Sequence, residues 1–194
     1  MKILCLGDSL TTGYGVSRNE SWCFVLQSIS GIHVINGGVN GDTSIGLLTR
    51  SSSDIDSVKP DAVIIFIGTN DMIMNRSVSN TSENIILVIE DIQSSNLLPI
   101  VAFPPKIIPQ MASKLWDSNV DYLTVNKKIY ELREMLKDYC SINSINTLDY
   151  YDLFSENTEI PSRYYLDGIH LNSSGHKRIA VFTFERIKQC CFNV

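Results

Sequence analysis

The chain has 194 residues, of which 44% are hydrophobic and 19% charged, a composition typical of a folded globular protein rather than a disordered one. Its net charge of −5 and its lack of a basic cluster argue against a nucleic-acid partner, because binding to phosphates depends on Lys and Arg. No apolar stretch approaches the ~20 residues that a membrane helix needs, and the length fits a single domain over residues 1–194.

The N-terminus and the cysteines both predict a cytoplasmic protein. Only residues 3–6 are apolar before Gly7, which is far shorter than the apolar region of a secretory signal peptide. The cysteines form no CxxC pair and no even set, so we expect reduced thiols that serve mainly in packing. They are Cys5, Cys23, Cys140, Cys190 and Cys191.

Short apolar runs alternate with amphipathic stretches along the chain, a pattern typical of βαβ units. The predicted strands are 2–6, 33–35, 62–67, 99–103 and 147–148. The predicted helices are 20–29, 43–57, 81–95, 117–141 and 173–189. Residues 62–67 are apolar at every position, as expected of a central strand covered on both faces. The pattern predicts an α/β fold with a five-stranded parallel sheet.

Three short motifs follow the first three predicted strands. They are Gly7–Leu10 (GDSL), Gly38–Asp42 (GVNGD) and Gly68–Asp71 (GTND). Ligands bind at the carboxyl ends of parallel strands, which lie at one edge of the sheet. We therefore expect Ser9, Gly41 and Asn70 to meet at this edge.

Ser9 and the fourth motif, Asp167–His170 (DGIH), have the residue types of a serine hydrolase. A serine hydroxyl is a poor nucleophile unless a base takes its proton. His170 can be that base, and Asp167, three residues earlier, can orient the imidazole and stabilise its charged form. We predict Ser9, His170 and Asp167 as catalytic residues.

The tetrahedral intermediate of acyl transfer also needs hydrogen-bond donors for its oxyanion. The backbone N–H groups of Ser9 and Gly41 and the side-chain amide of Asn70 are the predicted donors. Four polar residues in and near these motifs are predicted to hold the loops in place. They are Asp8, Asn36, Asp42 and Asp71.

The other two histidines fit the role of base less well, since neither has an acidic residue at a suitable offset. We expect His33 to be a packing or surface residue and His176 to face solvent from the last helix. Asp167, His170 and His176 could alternatively be metal ligands, but this spacing is a weak metal signal. No nucleotide cofactor is expected, because P-loop and dinucleotide-binding motifs are both missing.

The four motifs together resemble those of the GDSL or SGNH family of hydrolases, whose four blocks supply Ser, Gly, Asn and His. The resemblance runs from Ile3 to about Gly175 and is strongest to the bacterial acylhydrolase, arylesterase and thioesterase branch. It implies a three-layer flavodoxin-like fold, no metal and a triad of Ser9, His170 and Asp167. Asn40 stands where that branch often has Ser, and Leu171 follows the histidine where many members have Pro.

The predicted function is therefore the hydrolysis of carboxylic esters of small or medium acyl groups. Carbohydrate O-acetylesterase, lysophospholipase and thioesterase activities with the same mechanism remain open, as does a binding module without turnover. The loops at 103–111 and 150–165 are apolar and aromatic, and we expect them to line the substrate pocket. The expected partner is a small-molecule ester, and the sequence does not indicate an oligomeric state.

Overall fold

The structure is a computed structural model that describes residues 1–155 and 162–191, with the backbone alone at 190 and 191. Its centre is a sheet of five parallel strands in the order β2-β1-β3-β4-β5. The strands are β1 (Lys2–Gly7), β2 (His33–Gly38), β3 (Ala62–Phe66), β4 (Leu98–Phe103) and β5 (Asn146–Asp149). The predicted α/β fold with a five-stranded parallel sheet is confirmed.

Nine α-helices lie in the described part of the chain. They are α1 (Ser9–Thr12), α2 (Trp22–Ser30), α3 (Ser44–Val58), α4 (Thr69–Ile73), α5 (Val78–Ser94), α6 (Pro109–Leu115), α7 (Tyr122–Ile142), α8 (Tyr150–Leu153) and α9 (Ser173–Cys191). Five of them match the predicted helices to within a few residues, whereas α1, α4, α6 and α8 were not predicted. Each of these four has seven residues or fewer, which is too short for a clear helical period.

The long helices cover both faces of the sheet, which gives three layers. Alternate residues of β1 point to opposite faces, so Leu4 and Leu6 pack in one core with side chains of α3, α5 and α7. Ile3 and Cys5 pack in the other core with side chains of α2 and α9. The strand order and the two cores are those of a flavodoxin-like fold.

Side-chain caps fix where several helices begin, and therefore where the loops above the sheet end. Ser21 accepts a hydrogen bond from the backbone N–H of Phe24 at the start of α2, and Asp121 accepts from Leu123 and Thr124 at the start of α7. Such caps satisfy N–H groups that have no partner in the first turn of a helix.

Cys5, Cys23 and Cys140 are free and buried, as expected of packing thiols, while the side chains of Cys190 and Cys191 lie outside the described part. Among the described helices, none has both the length and the apolar character needed to cross a bilayer.

Candidate active site

Ser9 lies at the carboxyl end of β1, at the first position of α1. The preceding residue, Asp8, caps this helix by accepting a hydrogen bond from the backbone N–H of Leu10 at 2.9 Å. The Ser9 side chain is thereby held at the edge of the sheet, and the residue is 8% exposed.

Ser9, His170 and Asp167 form a hydrogen-bonded row. The Ser9 Oγ lies 3.0 Å from Nε2 of His170, although 161 positions separate the two residues in sequence. The other ring nitrogen, Nδ1, lies 2.7 Å from Oδ2 of Asp167. In the tautomer with the proton on Nδ1, His170 donates to Asp167 and accepts from the Ser9 hydroxyl, which is the arrangement a general base requires.

The Asp167 carboxylate is held ionised by its hydrogen bonds. Its partial burial alone would raise its pKa, but the His170 side chain and the backbone N–H groups of His170 and Ile169 lower the pKa below its usual value. These two N–H groups donate to Oδ1 at 2.8 and 2.9 Å. An anionic Asp167 can therefore stabilise a positive charge on the imidazole.

Gly41 and Asn70 approach Ser9 from the ends of β2 and β3. Gly41 has a φ of 77°, which most other residues adopt only at a cost in energy, and its backbone N–H has no acceptor among the described residues. The Asn70 side-chain nitrogen donates one hydrogen to the Asp42 carbonyl at 2.9 Å. Its second hydrogen remains available for a substrate oxygen.

Arg50, on α3, links the Gly41 loop to the end of β1. Its Nε donates to the Asp42 carboxylate at 2.8 Å, and its Nη2 donates to the Gly7 carbonyl at 3.0 Å. The Arg50 side chain thus holds Asp42 and, through the Asp42 backbone, the Asn70 amide. The sequence patterns gave no indication of this role for Arg50.

Asp71 and Asn36 hold neighbouring segments, as expected from the sequence. The buried Asp71 carboxylate accepts hydrogen bonds from the backbone N–H and the hydroxyl of Ser44, at 2.9 and 2.8 Å, at the start of α3. The Asn36 amide donates to the Thr11 carbonyl at 2.9 Å and so ties β2 to α1.

Asp8 is a buried acid beside the predicted nucleophile. Its burial, with the negative charges of Asp42 and Asp71 contributing, raises its pKa to about 7, although a hydrogen bond from Leu10 opposes the change. Its Oδ2 has no hydrogen-bond partner among the described residues. Because folding raises the pKa of this carboxyl, its protonation contributes to the free energy of unfolding.

A small cavity of about 90 Å³ opens beside Ser9, between the predicted oxyanion donors and His170. Its remaining walls are Tyr14, Asn40, Ile73, Trp116 and Ile169. The Tyr14 and Trp116 rings pack against the His170 ring, with centroids 4.4 and 4.8 Å from it. These two aromatic residues were not predicted from the sequence, since neither belongs to a motif that demands an aromatic side chain.

Two sequence-based expectations are wrong. His176 does not face solvent: it is buried between α2 and α9, where its Nδ1 accepts the Trp22 backbone N–H at 3.3 Å. Within the described residues, the loops at 103–111 and 150–165 do not line the cavity beside Ser9, and residues 156–161 lie outside the described part. These loops pack on each other instead, as in the hydrogen bond from the Tyr165 hydroxyl to the Lys106 carbonyl.

The alternative metal site is not assembled among the described side chains. Across residues 1–155 and 162–189, no three His, Cys, Asp or Glu side chains are grouped so that they could hold a metal ion. Asp167 and His170 contact each other, whereas His176 contacts the Trp22 backbone.

Comparison with known proteins gives a consistent family match. The model of the GDSL-like lipase/acylhydrolase family matches residues 5–178. The chain is 28% identical to an arylesterase of Vibrio mimicus over 124 residues, which are 60% of this chain and 62% of the relative. It is 29% identical to thioesterase 1/protease 1/lysophospholipase L1 of Escherichia coli K12 over 101 residues, 51% of this chain and 49% of that protein.

The matched segments therefore span between about half and three fifths of these two curated relatives. The similarity in structure extends further. The lipase/acylhydrolase from Enterococcus faecalis superposes with a TM-score of 0.80 at 25% identity, covering 97% of this chain and 96% of that chain.

Proposed function

This chain belongs to the GDSL-like lipase/acylhydrolase family, and from that premise we propose that it hydrolyses carboxylic esters of small or medium acyl groups. The observation that carries the proposal is the hydrogen-bonded row of Ser9, His170 and Asp167. The arylesterase and thioesterase descriptions of the curated relatives support the same class of reaction.

In the first half of the proposed reaction, an acyl group moves to Ser9. The Ser9 Oγ forms a bond to the ester carbonyl carbon while its proton passes to Nε2 of His170. The negative charge on the carbonyl oxygen is stabilised by hydrogen bonds from the backbone N–H groups of Ser9 and Gly41 and from the side-chain amide of Asn70. The bond between this carbon and the alcohol oxygen then breaks, and the alcohol leaves with the proton from His170.

In the second half, water takes the place of the alcohol. His170 accepts a proton from the water as the water oxygen bonds to the acyl carbon, and the same donors hold the new oxyanion. The bond to Ser9 Oγ breaks, Ser9 regains its proton from His170, and the carboxylic acid leaves. Asp167 remains anionic throughout and stabilises the charged imidazole in both halves.

The proposal is tested by measuring hydrolysis of p-nitrophenyl esters from acetyl to dodecanoyl. Ser9→Ala should lower kcat by more than about 10⁴-fold, because removing a serine nucleophile abolishes the covalent route. The matched control is Ser53→Ala, which removes an exposed hydroxyl on α3 and should leave kcat unchanged. Full activity in Ser9→Ala would show that Ser9 is not the nucleophile.

Labelling with a fluorophosphonate separates a chemically competent site from a site that only binds. The wild-type protein should gain one covalent adduct at Ser9, detected by mass spectrometry, and Ser9→Ala should gain none. If the wild-type protein is labelled but cleaves no p-nitrophenyl ester, the substrate is a more specific ester or thioester. If it is neither labelled nor active, the site is a binding module and the proposal fails.

A further inference from the structure

The cavity beside Ser9 has large apolar side chains on one side, here called the closed side, and small or polar residues on the other, here called the open side. On the closed side, Ile73 follows Asn70 on α4, and Trp116 follows the end of α6. These segments come after β3 and β4, which lie on the side of β1 away from β2. On the β2 side, Asn40 is exposed, and a Cβ placed on Gly41 would meet no atom within 4 Å.

The order in which products leave assigns the two sides to the two parts of the ester. The alcohol departs while the acyl group is still bonded to Ser9, and water must then reach the acyl carbon. The alcohol therefore needs a route to solvent, which the side near Asn40 and Gly41 provides. The acyl group stays attached until the last step, so it can occupy the closed side.

Trp116 is held in position over the closed side although it is 48% exposed. Its backbone N–H donates to the Ala112 carbonyl at 2.9 Å. Its ring packs against His170 and meets the Tyr14 ring edge-on, with centroids 5.9 Å apart and an angle of 87°. Such edge-to-face contacts favour one orientation of the rings.

Given the proposed ester hydrolysis, on which this inference rests, we propose that Trp116 is a specificity-determining residue that limits the acyl group to about two to four carbons. The cavity volume is small, about 90 Å³, and the large side chains of Trp116 and Ile73 lie where a longer acyl chain would have to extend. The alcohol part extends toward solvent and is not limited in this way. The substrate class is then a short-chain acyl ester of an alcohol of variable size.

The test compares kcat/KM for p-nitrophenyl acetate, butanoate and octanoate in the wild type and in Trp116→Ala. The wild type should prefer acetyl or butanoyl and should lose about tenfold or more by octanoyl. Trp116→Ala should raise the ratio of octanoyl to acetyl kcat/KM by about tenfold or more, because each methylene accommodated in an apolar pocket changes selectivity by about 10- to 200-fold. A ratio within one variant is insensitive to a general loss of activity through His170.

Two further variants make the result specific to the cavity. Leu115→Ala removes a neighbouring exposed side chain that does not line the cavity, and it should keep the wild-type chain-length profile. Ile73→Ala shortens the other large side chain on the closed side and should shift the profile in the same direction as Trp116→Ala, which keeps the test valid if the tryptophan variant folds poorly.

An unchanged profile in both Trp116→Ala and Ile73→Ala would overturn this inference while leaving ester hydrolysis intact. A wild-type optimum at octanoyl or longer would do the same. The inference would also be overturned if Trp116→Ala changed only the selectivity for the alcohol part of the ester, measured with acetyl esters of phenols and of a bulkier naphthol. Absence of Ser9-dependent hydrolysis in the wild type would instead remove the proposed function, and this inference with it.

Discussion

His170, the proposed general base, is held in place by contacts with four side chains. Ser9 and Asp167 bond to its two ring nitrogens, and two aromatic rings pack against it. Asp167 in turn is held by backbone N–H groups from its own loop. The imidazole therefore has little freedom to rotate away from the serine.

Asp167→Asn should lower kcat by about 10³- to 10⁴-fold with the fold intact, by analogy with the corresponding change in serine proteases. An asparagine amide can donate a hydrogen bond to Nδ1, which leaves the imidazole proton on Nε2. A protonated Nε2 cannot accept the proton of the Ser9 hydroxyl. The variant also loses the negative charge that stabilises the imidazolium. Steady-state kinetics with p-nitrophenyl acetate measure the effect, and circular dichroism checks the fold.

The matched control for Asp167→Asn is Asp56→Asn, which makes the same chemical change at an exposed position on α3. Its kcat should equal that of the wild type. A loss of less than tenfold in Asp167→Asn would mean that the carboxylate does not support the base.

At this scale the sequence predicted the residues whose type is dictated by chemistry. Ser9, Gly41, Asn70 and His170 lie within motifs, and the structure brings them to one edge of the sheet, while their roles remain predictions. Trp116 was missed because any large side chain can close a pocket, so no motif requires it. His176 was misplaced because a histidine after a run of polar residues suggests a surface, whereas only packing of α9 on α2 reveals its burial.

At the scale of elements, the loop that carries His170 packs directly on the start of α6. The Gly168 carbonyl accepts a hydrogen bond from the Ile108 backbone N–H at 2.8 Å. Gly168 itself has a φ of 94°, and a Cβ there would lie 2.6 Å from the Ala112 nitrogen and 2.8 Å from the Ile108 oxygen. The position of α6, and with it that of Trp116, is therefore coupled to the position of the loop that carries His170.

Gly168→Ala should lower both stability and activity, and Gly31→Ala isolates the reason. Gly31 also has a positive φ, of 70°, but a Cβ there meets nothing within 4 Å. Gly31→Ala should cost about 1–2 kcal/mol from backbone strain alone. Gly168→Ala should cost a further ~1–3 kcal/mol, because the neighbouring atoms belong to the backbone and must move.

Urea unfolding measures the free energies of unfolding of both glycine variants, and p-nitrophenyl acetate hydrolysis measures their activity. Only Gly168→Ala should lose activity, since the displaced loop carries His170. Equal losses of stability in the two variants would contradict the tight packing of this loop on α6.

The elements that the sequence predicted are those with a long hydrophobic pattern. All five strands and the five long helices were predicted, and β2 and β5 prove longer than expected because their last residues are polar or glycine. The helix α6 was missed because it is short and begins within residues 103–111, which were predicted as a loop, and the helix predicted from 117 begins where the structure has a turn before α7.

At the scale of the whole molecule, a buried histidine links stability to pH. Burial between α2 and α9, together with the charge of His170, lowers the His176 pKa to about 4, although the charge of Glu20 opposes this change. The unfolded chain binds this proton near pH 6.5 and the folded chain only near pH 4. The free energy of unfolding should therefore fall as the pH drops through this range, by about 3 kcal/mol from this group.

His176→Asn should remove that pH dependence, because its side-chain oxygen can accept the Trp22 N–H without titrating. Urea unfolding at several pH values measures the free energy of unfolding of the variant and of the wild type. Between pH 7 and pH 4, the difference between the two should shift in favour of the variant by about 3 kcal/mol. The control is His33→Asn at an exposed position, which should run parallel to the wild type. A His176→Asn curve that also runs parallel would contradict the depressed pKa.

The wild type must be compared with the His176→Asn variant because Asp8 changes the free energy of unfolding with pH in the direction opposite to His176. Its raised pKa of about 7 means that the folded chain holds a proton that the unfolded chain releases above pH ~4. This contribution is present at low pH and is lost as the pH rises toward 7. In the wild type the two groups partly offset each other over the same pH range.

The separation of Ser9 from His170 by 161 positions has a consequence for synthesis of the chain. During synthesis, Ser9 leaves the ribosome long before His170, because 161 positions separate the two residues. The strands of the sheet can pair as they emerge, but the proposed triad cannot form until the loop that carries His170 has docked. If the proposed mechanism holds, a chain interrupted before His170 carries Ser9 without its base and should form no acyl-enzyme.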